Sequence, residues 1–355
     1  MTLSDTLTKR TLDLCRIASV TGNETECANV VEAQLRGTKL SVQRVGNSVL
    51  ARTASRGKPL VLLVGHTDTV PGKASDGPPR VEGNRIYGLG ASDMKGGLAI
   101  MLHIAHTIGD GAGLAYDLGL VFYDKEEGPW SDSGLGPVLD AVPWLRRANL
   151  AFCLEPSDNV VQVGCLGTMH LRVIFRGQAA HSARPWQGEN AIHKAGPLLV
   201  ALATRQPRDV WVDGHLFREV LSATMAGGGR TRNVIPDQFE LNLNFRFAPG
   251  RGISAAADEV RALCPEAEVE VVEAAPSGRV VTDNALLKRF VELNQNPVTA
   301  KQAWTDVARL TAAGIDAVNL GPGLAAQAHQ AGEYADIDLL AQGYAQFDRF
   351  LRDGR

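Results

Sequence analysis

Polar and apolar positions along this 355-residue chain fall into two textures. In the first third, Leu3, Leu7, Leu14 and Ile17 recur on one face and predict an amphipathic helix. Asn23 followed by Glu26 predicts a capping box that opens a second helix through Leu35. Three continuous apolar runs follow at 60–65, 118–123 and 148–154. Continuous rather than alternating runs mark strands buried on both faces, with helices such as 95–108 as crossovers between parallel neighbours. The first run ends in His66-Thr67-Asp68, the second in Asp124-Lys125-Glu126-Glu127 and the third at Glu155. Ligands of open parallel sheets sit beyond the carboxyl ends of the strands, so these metal-capable side chains stand where a site is expected.

From 168 to about 283 the pattern changes. Segments 168–176 and 238–247 alternate as half-buried strands do, and 190–203 and 253–263 are helical, an α+β texture. Helices at 283–293 and 306–313, a short strand at 317–320 and an amphipathic closing helix at 337–351 then restore the first texture. The expected fold class is α/β, with a mostly parallel central sheet in a main domain made of 1–166 and 284–355. An α+β domain, 167–283, is inserted into it. A chain of this length exceeds what one core usually supports, which agrees with two domains.

Composition narrows the partners. A net charge of -3 without a basic run supplies no footprint for nucleic acid or an anionic membrane, which leaves a small molecule. No apolar stretch is long enough to span a bilayer, and residues 1–10 lack the apolar core of a secretory signal, so a cytoplasmic location is expected. The five cysteines form no CxxC pair and read as buried thiols rather than a thiolate site or disulfide framework.

The chemistry lies at the strand ends. A metal-bound imidazole usually gives its second N–H to an acceptor, and Asp68, two residues after His66, is the candidate orienter. An isolated His-x-Asp is also read as a hydrogen-bonded strand cap. Glu126 and Glu127 diverge in extended chain, so one can ligate while the other faces a substrate water; elsewhere such a pair is solvated surface. Asp93 lies in Gly88-Leu-Gly-Ala-Ser-Asp-Met-Lys-Gly-Gly, which lacks the third glycine spacing of a dinucleotide loop. If Asp93, Glu127 and Glu155 converge, each close pair costs about 4 kcal/mol at roughly 4 Å and an effective dielectric near 20. Two divalent cations offset the three charges and leave one for a hydroxide. Mixed imidazole and carboxylate ligation suits zinc better than magnesium. Glu126 is then the general base of an amide hydrolysis. No nucleophile elbow, P-loop or HExxH helix offers another chemistry.

Together, His66-Thr-Asp, Gly90-Ala-Ser-Asp93-Met-Lys-Gly, Glu126-Glu127, Glu155-Pro, Gly177-Gln-Ala-Ala-His181-Ser-Ala-Arg-Pro and a late His329 resemble the co-catalytic zinc family of carboxypeptidases, aminoacylases and deacylases. The resemblance implies a zinc-exopeptidase-like main domain with an inserted lid and dimerisation domain. It implies two zinc ions, replaceable by cobalt: His66 and Glu155 on one, Glu127 and His329 on the other, Asp93 between them, with Asp68 as orienter and Glu126 as base. It further implies a homodimer through the lid, whose His181 stabilises an oxyanion in the partner's site. Read alone, His181 is also a turn histidine before Arg184-Pro185.

Within the family, Phe122-Tyr-Asp-Lys-Glu-Glu, Asn190-Ala-Ile-His-Lys-Ala, Asn233-Val-Ile-Pro-Asp, Asn244-Phe-Arg-Phe-Ala-Pro and Trp304-Thr-Asp-Val-Ala-Arg resemble the succinyl-diaminopimelate desuccinylase branch. That branch implies Asn233 and Arg246 as contacts for substrate carboxylates, although Arg246 also reads as a surface arginine on a strand. Its longer members carry an arginine pair leading into the lid and a tyrosine after the lid histidine, where this chain has Cys165-Leu166 and Arg184. Arg184 is the candidate replacement for the lost positive charge. The competing expectations are an N-acetyl-ornithine or N-acetyl-lysine deacetylase of the same family, and a non-catalytic metal- or amino-acid-binding protein.

Overall fold

The computed structural model describes residues 2–73 and 77–353. The chain divides into two compact units: Met1–Gly164 with Val281–Thr299 and Thr305–Arg355, and Cys165–Val280 with Ala300–Trp304.

The first unit is built on an eight-stranded sheet. Its spatial order is Ser41–Val45, Ser48–Arg52, Asp117–Tyr123, Leu60–His66, Leu150–Cys153, Ala317–Asn319, Val161–Val163 and Val298–Ala300. The middle four strands run parallel, and antiparallel strands flank them on both sides. Leu60–His66 and Asp117–Tyr123 are buried almost throughout, as their unbroken apolar runs require. Helix Gly96–Thr107 is apolar nearly all round. It packs against strand Leu60–His66 and is flanked by helices Leu3–Cys15 and Ile337–Arg352. It comes unusually close to the strand ends. A Cβ at Gly65 would fall 2.5 Å from Met94 Cε, and one at Gly97 would fall 2.8 Å from the Leu154 carbonyl oxygen. At Gly97 the obstacle is backbone, whereas at Gly65 a side chain would have to displace the ends of Met94 and Leu98.

The expected capping box at Asn23 and Glu26 does not form. The second helix is Thr25–Arg36 with Glu24 at its cap and no side-chain cap bond. Burial of Cys27, Ala28, Val31 and Leu35 sets the helix register, and Glu24 turns inward, where its Oε1 accepts from Gly22 N at 2.6 Å. The capping box of this region is instead at the first helix, where Thr2 Oγ1 accepts from Asp5 N and Asp5 Oδ2 accepts from Thr2 N.

The second unit carries a five-stranded antiparallel sheet in the order Arg208–Val212, His215–Gly228, Gln238–Phe247, Gly167–Arg176, Glu268–Ala275. Alternation along Gln238–Phe247 is strict. Phe239, Leu241, Leu243, Phe245 and Phe247 enter the core, while Gln238, Glu240, Asn242, Asn244 and Arg246 lie on the other face. The helical stretch at 190–203 is two helices, Ala191–Lys194 and Gly196–Thr204, because Pro197 has no N–H to continue the first. Strands Arg208–Val212 and His215–Gly228 form a hairpin turned by Asp213 and Gly214, both left-handed at φ 47° and 79°. Asp-Gly is a strong sequence signal for such a turn. Among the described residues, no helix is long and apolar enough to cross a membrane.

Replacing Phe245 by Ala, in the core of the second unit, is expected to cost about 3–5 kcal/mol. Glu240→Ala, one face away in an exposed pair with Arg172, is expected to cost under about 1 kcal/mol. Urea unfolding midpoints of the two variants against the parent check the face assignment.

Candidate metal centre

Because the central strands are parallel, their carboxyl ends share one edge of the sheet. His66 closes the first strand opposite Tyr123, the 124–127 segment leaves the second, and Glu155 follows the third. Asp93 arrives from the loop before helix Gly96–Thr107, where Gly90 is left-handed at φ 78° and the Asp93–Met94 peptide is cis. His329 comes from the 320–333 loop with φ 60°, and its carbonyl oxygen accepts from Lys73 Nζ at 3.1 Å.

These side chains converge into two overlapping donor sets. His66 Nε2 lies 3.2 Å from Asp93 Oδ1 and 4.0 Å from Glu155 Oε1. His329 Nε2 lies 2.9 Å from Glu127 Oε1 and 3.6 Å from Asp93 Oδ2. Each oxygen of Asp93 therefore faces a different imidazole. His66, Asp93 and Glu155 form one group able to hold a metal ion and Asp93, Glu127 and His329 another, with the donor atoms of each within 4.8 Å of one another. A third grouping joins His66 to Glu126 and Glu127, so Glu126 borders the first position.

Asp68 has a wider role than orienting an imidazole. His66 Nδ1 is 3.0 Å from the Asp68 carbonyl oxygen and 3.5 Å from its carboxylate. A carbonyl only accepts, so Nδ1 carries a proton, and Nε2 is the nitrogen that faces Asp93 and Glu155 and is placed to ligate once it is deprotonated. The strand ends at His66, and the fully buried Asp68 carboxylate turns instead toward the next loop. Its Oδ1 accepts from Glu126 N and its Oδ2 from Glu127 N, both at 3.0 Å, with Thr21 Oγ1 donating at 2.9 Å. One side chain thus fixes the backbone of both neighbouring glutamates. Beyond them, Arg309 stacks on Trp130 at 3.6 Å and donates to Asp306 and to the Trp130 carbonyl, tethering the segment that follows Glu127.

Electrostatics test whether the donors fit a cation. Burial, then the neighbouring Glu155, push the Glu126 carboxyl well above the usual carboxylate range, against the pull of His66. Burial alone would lower His66, but its bonds to Asp68 and Asp93, with Glu155 and Glu126 nearby, raise it well above an ordinary imidazole. Glu127 raises His329 to about 8, with burial opposing. For Asp68, burial works upward, and its bonds to His66 and to two backbone N–H groups outweigh it and lower the group. The cluster holds protons because its negative charges need a positive partner. Divalent cations held by His66, Asp93, Glu155, Glu127 and His329 would supply that charge, with the imidazoles neutral and the carboxylates ionised, the states in which such groups ligate. The donor set fits.

Sequence reasoning missed Glu333. Its carboxylate, 4% exposed, accepts from the backbone N–H groups of Gly90, Ser92 and Asp93. A glutamate in a loop of Gly, Ala and Gln has no pattern around it; its place four residues after His329 is the one available hint.

The remaining candidates lie in the second unit. His181 is exposed in the two-residue strand Ala180–His181 paired with Val234–Ile235. Its Nδ1 accepts from Ala183 N at 3.1 Å, which leaves Nε2 as a donor. Ser182 N donates to the Asn233 carbonyl at 2.9 Å and Arg184 N to the His181 carbonyl at 2.8 Å, so His181, Arg184 and Asn233 form one cluster. Arg246 is not part of it. It lies near the far end of Gln238–Phe247, opposite Thr168, half-buried with its pKa lowered by that burial, and its Nε donates to Asn244 Oδ1 at 3.1 Å. Eight residues of strand separate Gln238 from Arg246, about 27 Å at roughly 3.4 Å per residue.

Peptidase family M20/M25/M40 matches residues 62–353. The succinyl-diaminopimelate desuccinylase of Corynebacterium glutamicum is 36% identical over 360 residues, 98% of this chain and 95% of its own. A Mycobacterium tuberculosis protein provisionally given the same name is 39% identical over 345 residues, 96% of each chain. The crystal structure of a tripeptidase from Staphylococcus aureus shares the fold, with a TM-score of 0.81 at 22% identity over 98% of both chains. With a metal-capable centre at its strand ends and a family match over most of its length, the chain belongs to peptidase family M20/M25/M40 and is a metal-dependent amidohydrolase.

Proposed function

We propose that the protein hydrolyses N-succinyl-LL-2,6-diaminopimelate to succinate and LL-2,6-diaminopimelate with two zinc ions, which cobalt can replace. The observation that carries this reading is identity of 36–39% along almost the whole chain to two proteins named for that activity. The two donor groups sharing Asp93 support it.

In this reading His66, Asp93 and Glu155 hold one ion and Asp93, Glu127 and His329 the other. Zinc bound there polarises the amide carbonyl and acidifies the attacking water. Asp68 fixes the backbones of Glu126 and Glu127 so that Glu127 turns to His329 while Glu126 stays beside the first donor group. Glu126 takes the proton from water and returns it to the leaving nitrogen. His181 Nε2 donates to the oxyanion, and Asn233, Arg184 and Arg246 meet the substrate carboxylates.

Asn233 precedes strand Gln238–Phe247 and Arg246 lies near that strand's other end. With about 27 Å between the start of that strand and Arg246, the reading in which one substrate meets both residues is in keeping with two copies of the chain contributing, a homodimer through the second unit. Helix Gly196–Thr204 supports it too: its sequence GPLLVALAT is almost wholly apolar, yet Val200 is 65% exposed. The five cysteines, all buried free thiols, are in keeping with the reducing cytoplasm, where we place the protein.

Succinate release from the succinylated substrate, compared with acetate release from N-acetyl-ornithine and N-acetyl-lysine, tests the activity. A preference for an acetyl group overturns the substrate, and no turnover of any of the three overturns the enzyme reading. Glu126→Gln is expected to lower turnover by about 10²–10⁴-fold while metal content by elemental analysis stays at the wild-type level. Mixing Glu126→Gln with His181→Ala protein is expected to restore activity that neither has alone, because one site of the mixed dimer then has both groups; no recovery after subunit exchange overturns action in trans.

His329 must lose its proton to ligate. Its raised pKa therefore makes zinc affinity of the stripped protein climb as pH rises toward about 8, with this contribution levelling off above it. In the metal-free protein the sign is opposite for stability: the His329–Glu127 pair contributes below the ordinary imidazole value and is lost as pH rises through about 8. Zinc titrations and melting curves of stripped protein between pH 6 and pH 9 check both slopes.

A further inference from the structure

Glu333 is built into the centre more tightly than any carboxylate outside the ligand set except Asp68. Its Oε2 accepts from Gly90 N at 2.8 Å, and its Oε1 accepts from Ser92 N at 2.8 Å and Asp93 N at 2.9 Å. Its own carbonyl accepts from Gly88 N at 3.0 Å. Successive N–H groups turned inward make a concave anion nest, here filled by a side chain of the chain itself. The conformation needs Gly90, which is left-handed and where a Cβ would fall 2.6 Å from Thr69 Cγ2. Ser92 adds a second tie, since its Oγ donates to the Tyr334 carbonyl at 2.8 Å and accepts from Leu324 N at 3.0 Å.

The two segments joined in this way carry different donors. One bears Asp93, whose two oxygens face His66 and His329. The other bears His329, four residues before Glu333. His66 and Glu155 follow central strands and keep their places with the sheet, whereas His329 sits 52% exposed on a loop. The spacing between Asp93 and His329 therefore depends on the strap between their loops.

We propose that Glu333 is a positioning residue: by gripping the Gly90–Asp93 backbone it sets the distance between the shared carboxylate and His329, and so the affinity of the metal position made by Asp93, Glu127 and His329. This rests on the two-metal reading above. In Glu333→Gln the amide keeps one acceptor oxygen but sets an NH₂ against an N–H donor, so the nest loosens with little change in volume.

Full-length wild type and Glu333→Gln, stripped by chelator, are titrated with Co²⁺ and followed by calorimetry and by the visible cobalt absorption. Wild type is expected to take two equivalents. The variant is expected to hold one near wild-type affinity and the other about 10–100-fold more weakly, with a changed absorption band for that second ion. If the stripped Gln variant does not fold, Glu333→Asp, which keeps the charge and draws the carboxylate back by one methylene, carries the same expectation. Wild-type affinity for both ions, or equal weakening of both, in whichever variant folds overturns the strap. A wild type that binds fewer than two ions overturns the two-metal reading instead, and the inference with it.

Discussion

Repulsion among carboxylates at one edge of a sheet is the constraint that organises this protein. Asp68, Asp93, Glu126, Glu127, Glu155 and Glu333 all gather at the carboxyl ends of the parallel strands, several of them out of contact with water. At an effective dielectric near 20, each close pair costs on the order of 4 kcal/mol, so the cluster persists only where the fold or a cation offsets it. The two offsets are distributed by position. Asp68 and Glu333 are met by backbone N–H groups, two for one and three for the other. Bonds to a charged acceptor are worth about 1.5–3 kcal/mol each; at Asp68 they help outweigh burial and lower the group, whereas at Glu333 burial still prevails and raises it to about 7. Asp93, Glu127 and Glu155 turn toward imidazoles and toward each other, in the groups that could hold a metal ion.

Backbone geometry delivers that separation. The parallel arrangement carries His66, the Glu126–Glu127 loop and Glu155 to the same edge with no special local sequence. Asp93 needs more: its loop reaches the edge because helix Gly96–Thr107 begins against the strand ends, a fit that Gly65 and Gly97 allow by having no side chain. Once there, the loop accepts Glu333 on its backbone N–H groups, and the Asp93 carboxylate faces the two imidazoles. Packing, hydrogen bonding and metal chemistry thus act on opposite faces of a few residues.

The second unit works by a simpler rule. Strict alternation along Gln238–Phe247 turns every second residue into the core and leaves a polar face that includes Arg246. His181, Arg184 and Asn233 collect at the end where Gly167–Arg176 leaves the sheet and Gln238–Phe247 enters it. The polar residue Arg246 and that loop cluster therefore lie toward different ends of the strand. Helix Gly196–Thr204 buries Leu198 against the sheet and leaves Val200 exposed at 65%.

The sequence by itself determined the parallel core, because unbroken apolar runs leave a strand nowhere to go except between two layers, and it placed His66, Glu126, Glu127 and Glu155 at the ends of those runs. It also offered Asp93 as a further carboxylate in a glycine-rich segment, whereas His329, in a loop of Gly, Ala and Gln, is a candidate through the order of the family's motifs alone. Tertiary structure decided the rest. That both oxygens of Asp93 face imidazoles, that the Asp68 carboxylate reaches the backbone of Glu126 and Glu127, 58 and 59 residues away, and that Glu333 grips a loop 240 to 243 residues away are outcomes of long-range contact. Periodicity reports which face of an element is buried, over a few residues at a time. It is silent on which distant N–H a buried carboxylate will find, because that depends on how the elements close on one another.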